Sequence, residues 1–268
     1  MLTGAAAASV GLYTWRVEPH WVEFVKLPLP IQHLPLDLVG KTLVQLSDIH
    51  AGLVVDDAYL IDTFRRVQAL SPDIVVYTGD FVSYHPDVFR QAAYVYESPP
   101  RGRLATVGVL GNHDYGRNWA EPEVADRLAG IFADGGVTIL RNESADVGGL
   151  QIVGLDDLWA ARFAPEAPLR SLAKKRAAIV LSHNPDTVDS PVWGDYKSWI
   201  FSGHTHGGQC KAPFLPPPLL PVKNRRYAAG VFDLWDERTL YVSRGLGHLT
   251  RVRFNVRPEV TVFTLELA

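Results

Sequence analysis

Gly203-His204-Thr205-His206-Gly207-Gly208 follows the short apolar run Trp199-Ile200-Phe201, and four further runs in the chain end in the same way. Leu43-Val44-Gln45-Leu46 leads into Asp48 and His50, and Ile74-Val75-Val76-Tyr77 leads into Gly79-Asp80. Val107-Gly108-Val109-Leu110 leads into Gly111-Asn112-His113-Asp114, and Ile179-Val180-Leu181 leads into His183. Short β-branched and aromatic runs bounded by Gly, Asp and Asn read as buried strands with turns behind them. Ligands in open sheets gather beyond the carboxyl ends of strands, so the five polar clusters are expected to converge on one rim. Any one of these residues alone is an ordinary turn or core residue. Five of the nine histidines fall inside the five blocks, and it is this joint occurrence that points to a dinuclear metal site.

The rest of the chain sets the frame. At 268 residues and 47% apolar it is globular material for one large layered domain. A formal charge of -3 offers no strong field to a polyanion, which disfavours nucleic acid as a partner. The single Cys210 excludes an internal disulfide and a CxxC zinc site. Residues 1–40 read as a lead-in and 41–268 as the functional domain. Within the lead-in, Leu2 to Tyr13 is a small-residue apolar stretch, too short to span a bilayer and without the basic flank of a signal peptide. It reads either as the remnant of a signal or anchor, which implies a membrane-associated or exported protein, or as an Ala-rich arm on a cytoplasmic one.

Beyond the prolines from Pro19 to Pro35, strands alternate with helices. Asp56 or Asp57 can cap a helix carrying Leu60, Phe64, Val67 and Leu70 on one face, and further helices are predicted over 87–96 and 121–132. Strands are then predicted over 137–140, 150–153, 177–181, 198–201, 231–234, 239–243 and 260–265. Helices early with strands throughout suggest an α/β protein built on a β-sandwich with helices outside. The proline-rich Ala212 to Pro221, followed by Lys223, Arg225 and Arg226, reads as a stiff surface loop, or as an apolar lip meeting an acyl chain or membrane.

Asp, Asn and His without thiolate suit Mn, Fe or Zn. Two such ions a few ångströms apart need a bridging carboxylate and can clamp both oxygens of a phosphoryl transfer. Asp80, alone after Gly79, is the best candidate for the bridge.

Asp48-Ile49-His50, Gly79-Asp80, Gly111-Asn112-His113-Asp114, His183 and Gly203-His204-Thr205-His206 together resemble the five motif blocks of the calcineurin-like metallophosphoesterases. The wording Gly203 to Gln209 and the later Tyr241-Val242-Ser243-Arg244-Gly245-Leu246-Gly247 look like the YkuE/YaeI-type phosphodiesterase branch. The resemblance implies a four-layer αββα fold, a central β-sandwich of two mixed sheets flanked by helices. It implies one divalent ion on Asp48, His50, Asp80 and His206, and a second on Asp80, Asn112, His183 and His204. His113 is then a catalytic residue acting on the transition state or the leaving oxygen, with Asp114 orienting its ring, and a metal-bound hydroxide is the nucleophile. The implied activity is that of a phosphodiesterase or pyrophosphate hydrolase, on a phosphorylated small molecule or a lipid-linked substrate such as UDP-2,3-diacylglucosamine, with peripheral membrane contact. A nuclease or cyclic-nucleotide phosphodiesterase is the enzymatic alternative, and an inactive scaffold the alternative from another class. No ligand of the pattern is missing, which weighs against the scaffold.

Other residues read as structural. His20 and His33 are surface or packing residues, His85 a solvated loop residue ahead of a place at the site entrance, and Arg244 an ion-paired residue ahead of a phosphate ligand. His248 stands where relatives of this type often carry Thr or Ser.

Overall fold

The computed structural model describes residues 8–173 and 175–268. Half of the apolar stretch from Leu2 to Tyr13, residues 2–7, therefore lies outside the described residues. Two six-stranded sheets pack face to face. The first has the order β1 (Glu23–Ile31), β12 (Glu259–Leu267), β2 (Thr42–Leu46), β3 (Ile74–Thr78), β4 (Ala105–Val109) and β5 (Thr138–Ile139). The second runs β10 (Gly230–Asp233), β11 (Thr239–Val242), β9 (Trp199–Ser202), β8 (Ala178–Ser182), β7 (Leu150–Leu155) and β6 (Glu143–Val147). Strands β2 to β5 are parallel, as are β7, β8, β9 and β11, while β12, β6 and β10 supply the antiparallel pairings that make both sheets mixed.

The apolar runs are continuous because both faces of each sheet are covered. Leu43, Ile74, Val76 and Val107 meet Ile152, Ile179, Leu181 and Phe201 between the sheets. The alternate residues Val44, Leu46, Val75 and Tyr77 face helices α1 (Asp57–Ala69), α2 (Val88–Val95) and α3 (Pro122–Asp134) through Phe64, Ala92, Leu128 and Phe132. Beyond the second sheet, Val180, Ile200 and Leu240 are covered by Val188, Trp193 and Tyr227, with the short helix α4 (Glu166–Arg170) contributing Leu169. The layers run helix, sheet, sheet and a thinner outer cover.

Three differences from the sequence reading have physical causes. Glu23–Ile31, inside the proline-punctuated lead-in, is the edge strand of the first sheet. Pro28 and Pro30 are tolerated there because an edge strand pairs on one side only, and two residues of the same parity turn their missing N–H groups the same way. Glu143–Val147, which carries three polar residues in five, is a further strand, possible because it too is an edge. Leu70, expected on the apolar face of α1, is its C-cap and 46% exposed; Asp56 caps the other end, its Oδ1 accepting the Ala58 N–H at 2.8 Å.

One polar link crosses the sandwich directly beneath the loops. Buried Gln45 on β2 donates through Nε2 to Thr78 Oγ1 at 2.9 Å and to the Ser202 carbonyl of β9 at 3.0 Å. It ties together the ends of three strands whose loops carry Asp48, Asp80 and His204.

Candidate dinuclear metal centre

The loops behind β2, β3 and β9 turn sharply. Asp48, His50, Asp80, His204 and His206 all adopt positive φ, between 48° and 70°. Non-glycine residues reach this region rarely and at a cost, and such strain persists where the surroundings over-determine it. Backbone hydrogen bonds supply that determination. Asp48 N–H donates to the Gly79 carbonyl at 2.9 Å and His50 N–H to the Asp80 carbonyl at 3.0 Å, so the pairing of β2 with β3 continues past the strands. In the second sheet Gly203 N–H donates to the His183 carbonyl at 3.0 Å, and across the sandwich His204 N–H reaches Asp48 Oδ1 at 2.8 Å.

Two buried triads result. Asp48, His50 and His206 bring ligand atoms within 4.8 Å of one another, and so do Asp80, His183 and His204. His50 Nε2 and His206 Nε2 are 3.0 Å apart, and His204 Nδ1 lies 3.1 Å from His183 Nε2. Asp80 joins the two: its Oδ2 is 3.2 Å from His183 Nε2 and 3.5 Å from His50 Nε2.

The outward-facing ring nitrogens fix which atoms point inward. His183 Nδ1–H donates to the Thr78 carbonyl at 2.8 Å, leaving Nε2 for the centre. His204 Nε2–H donates to the Pro221 carbonyl at 2.8 Å, leaving Nδ1. His50 Nδ1 pairs with Ser83 Oγ at 3.0 Å.

Burial drives the His50 and His204 pKa values down to about 3 and that of His206 well below its ordinary value, so these rings are neutral with lone pairs available. Burial also opposes charge on His183, but the Asp80 carboxylate, assisted by Asp48 and Asp157, outweighs it and raises this ring to about 10. Asp80 itself loses to burial less than it gains from His183 and His113 and sits well below the carboxylate range. Burial, helped by the Asp80 charge, lifts Asp48 to about 7, with His183 and then Ser47 and the His204 N–H opposing.

Neutral imidazoles aimed nitrogen to nitrogen beside two carboxylates suit divalent ions, which take mixed N and O donors and replace the proton that His183 otherwise holds. Asn112 fits the same chemistry: it is 0% exposed, and neither its Oδ1 nor its Nδ2 has a protein partner. It sits on a 3-10 turn (Asn112–Tyr115) pinned to Asp80, whose Oδ1 accepts the His113 N–H at 2.9 Å.

Gly79 explains why the bridging loop needs glycine. Its φ is +90°, and a Cβ there would come within 2.6 Å of His183 Nδ1 and 2.7 Å of Gly111 N. Gly79→Ala is expected to cost about 1–3 kcal/mol of stability from overpacking alone. Urea unfolding together with metal titration checks this; wild-type values for both would contradict the close approach.

His113 is half-buried, its ring 5.1 Å from that of His50 and outside both triads. Asp114 does not do what the adjacent sequence suggested. Its Oδ2 accepts the Gly111 N–H at 2.9 Å and its Oδ1 the Val82 N–H at 3.1 Å, so it locks two loops together rather than orienting the His113 ring. Successive side chains in a 3-10 turn diverge by a third of a turn, which separates neighbours in sequence.

Several neighbours escaped the sequence reading. Asp157, behind β7, is buried and raised by that burial to about 6; its charge supports His183. Trp159 packs edge-on against His204 at 4.4 Å. Leu155-Asp156-Asp157 has the same strand-then-carboxylate signature as the five recognised blocks, and that signal was available.

His85, expected in solvent, is 8% exposed and its Nε2 pairs with Gln91 Oε1 at 2.7 Å. Arg244 is ion-paired with Glu259 and, at 2.9 Å, with Glu23. Cys210 lies outside both triads, its thiol raised by partial burial.

His248 is 0% exposed and is held down to about 3 by burial and then by Arg253, with the Val54 backbone opposing. Its unfolded value is near 6.5, so between these pH values the unfolded chain binds more protons. Stability present above pH 6.5 is therefore lost as pH falls toward 3. Replacing His248 with Leu is expected to flatten that slope by up to about 1.4 kcal/mol per pH unit, measured by urea unfolding between pH 7 and 4.5. An unchanged slope would show that His248 is not buried in its neutral form.

Comparison with known proteins agrees with this geometry. Residues 41–208 match the model of the calcineurin-like phosphoesterase family. The chain is 31% identical to the uncharacterized metallophosphoesterase YkuE of Bacillus subtilis, over 99% of this chain and 93% of that protein. It is 30% identical to the UDP-2,3-diacylglucosamine pyrophosphatase LpxG of Chlamydia trachomatis, over 97% and 94%. It is 29% identical to the phosphodiesterase YaeI of Escherichia coli, over 94% and 92%. With two buried Asp/His triads at the rim of two mixed six-stranded sheets, the chain belongs to the calcineurin-like phosphoesterase family and is a metal-dependent phosphoric ester hydrolase.

Proposed function

We propose that this enzyme cleaves a phosphodiester or pyrophosphate bond in a lipid-linked nucleotide at a membrane surface, with UDP-2,3-diacylglucosamine as the first substrate to test. In this reading Asp48, His50, Asp80 and His206 hold one ion, and Asp80, Asn112, His183 and His204 hold the other, with Mn, Fe or Zn suited to the donors. The observation that carries the assignment is the Asp80 carboxylate, whose Oδ2 faces His50 at 3.5 Å and His183 at 3.2 Å. When bound, the ions supply Lewis acidity toward the phosphoryl oxygens and lower the pKa of water. His113, tethered to Asp80 through its backbone N–H, gives a proton to the leaving oxygen. Thr78 and Pro221 hold the rings of His183 and His204 in the ligating tautomers.

The lipid part of the proposal rests on the proline-rich loop. Phe214 is fully exposed, Leu219 is 78% exposed, and the loop is anchored where Asp186 accepts the Lys223 and Asn224 N–H groups at 2.7 and 3.0 Å. Its Pro221 carbonyl touches His204, so this apolar lip adjoins the centre. Among the described residues no helix is long and apolar enough to cross a membrane. Similarity to a protein named for UDP-2,3-diacylglucosamine hydrolysis supports the same substrate class.

The test is hydrolysis by Mn-reconstituted protein of UDP-2,3-diacylglucosamine in mixed micelles, alongside a soluble phosphodiester. Release of UMP is expected. Phe214→Ser combined with Leu219→Ser should raise KM for the micellar substrate by about tenfold or more and leave the soluble one unchanged. Rapid cleavage of the soluble diester with no attack on the lipid would overturn the lipid substrate and leave the hydrolase standing.

A further inference from the structure

We propose that Trp119 and Trp159 form the seat for the nucleobase of the substrate, a specificity element beside the centre; this rests on the phosphoesterase reading and deepens it to a nucleotide substrate. The two indoles come from opposite halves of the sandwich. Trp119 follows β4 of the first sheet and Trp159 follows β7 of the second. They meet at 5.0 Å between ring centroids and 32° between planes.

Each indole also reaches the centre. The Trp119 ring lies 6.1 Å from that of His113, at 71°, and the Trp159 ring 4.4 Å from that of His204, at 87°. His113 in turn approaches His50 at 5.1 Å, and His204 approaches His183 at 4.9 Å. The indoles thus flank the space where a phosphoryl group bridges the two triads, and a planar ring joined to that phosphate through a sugar falls on them.

Two features separate this pair from tryptophans that serve only the core. Buried Trp193 and Trp199 give their indole N–H to the Thr187 and Pro30 carbonyls, both at 2.9 Å. Among the described hydrogen bonds neither Trp119 nor Trp159 has such a partner, and both remain half-exposed. The backbone at Asn118 and Trp119 is also held at φ 53° and 60°, two consecutive non-glycine residues in the left-handed region. Glu121 maintains this turn by accepting the Arg117 N–H at 3.0 Å, and Asp157 fixes the other loop by accepting the Ala160 N–H at 2.7 Å. Retained backbone strain of this kind clusters at active sites and ligand clamps. Stacking on an aromatic face tolerates any base and is strong enough to dominate the choice between substrates.

Calorimetric titration of the Mn-loaded protein with UMP and with glycerol 3-phosphate separates base from phosphate, since both probes carry the same phosphate charge and only one carries a ring. The wild type is expected to bind UMP about tenfold or more tightly than glycerol 3-phosphate. Trp119→Leu with Trp159→Leu should abolish that preference while leaving the affinity for glycerol 3-phosphate unchanged, and Trp159→Tyr should retain it. Equal wild-type affinity for the two probes, or a preference that survives in the double variant, would overturn the seat. Binding of neither probe would instead count against the phosphoesterase centre itself. Should the double variant not fold, quenching of tryptophan emission in the wild type decides: quenching by UMP and not by glycerol 3-phosphate supports the seat, and its absence overturns it.

Discussion

Asp80→Ala is expected to lower kcat/KM for a phosphodiester by about a thousandfold or more and to reduce bound metal from two ions per chain to one or fewer. The size of the effect follows from the position of the residue. Its Oδ2 faces a histidine of each triad, at 3.2 and 3.5 Å, so its loss removes a donor from each half. A two-ion clamp stabilises the transition state by several kcal/mol, and each 1.36 kcal/mol is a factor of ten in rate. The substitution also removes the main support for charge on His183, which burial by itself depresses. Elemental analysis after reconstitution in Mn, together with a Michaelis–Menten series, checks both parts. Two ions per chain with near-normal turnover would remove Asp80 from the bridging role.

The second large effect is expected at His113. Changing it to Ala should lower kcat by between about a hundredfold and ten-thousandfold, the range for loss of a general acid, while the metal content stays at two. The separation of the two readouts follows from the geometry. The His113 ring stands 5.1 Å from that of His50 and outside both ligand triads, and what ties the residue to Asp80 is its backbone N–H, which the substitution preserves. The defect should shrink when the leaving group is p-nitrophenolate, which departs without a proton, and grow with an alkoxide. A defect equal for both leaving groups would argue for positioning instead of proton donation. Loss of an ion would make His113 a ligand.

The sign of the electrostatics connects these two results. Buried histidines near pKa 3 keep His50 and His204 neutral across the physiological range, while Asp80 and His183 form a charged pair that a metal ion can enter by displacing the proton. Metal loading should accordingly release protons, and removing Asp80 should remove most of that release.

Much of the centre was legible in the order of residues. Five apolar runs ending in Asp, His or Asn describe strands with ligands at their carboxyl ends, and a parallel sheet buried on both faces requires runs of that uninterrupted kind. Gly79 before Asp80 likewise announced a tight turn beside the ions. The edge strand Glu23–Ile31 was hidden because prolines argue against a strand until it is known to lie at an edge. Asp157 carried the strand-then-carboxylate signature in the sequence, but its burial and its charge facing His183 are what single it out from an ordinary turn residue. His85 was misread as solvated because its partner, Gln91, is set by how helix α2 packs on the loop.

What the amino-acid order determined is the donor inventory and its sequence of delivery: oxygen and nitrogen ligands without thiolate, five blocks behind five strands, and hence a two-ion phosphoesterase centre. These are local properties, readable from residue type and spacing. What only the tertiary structure decided is which donors face one another. The pairing of His50 with His206 depends on two sheets closing face to face, and that of His183 with His204 on β8 and β9 lying side by side in the second sheet. The meeting of Trp119 with Trp159 depends on that closure as well, while Asp114 turning to the Gly111 and Val82 N–H groups and the Pro221 carbonyl orienting His204 depend on how neighbouring loops fold over one sheet. Apart from the Asp114 contact with Gly111, three residues away, these contacts join residues well separated along the chain, and their geometry is imposed by the packing of strands and loops, not by neighbours in sequence.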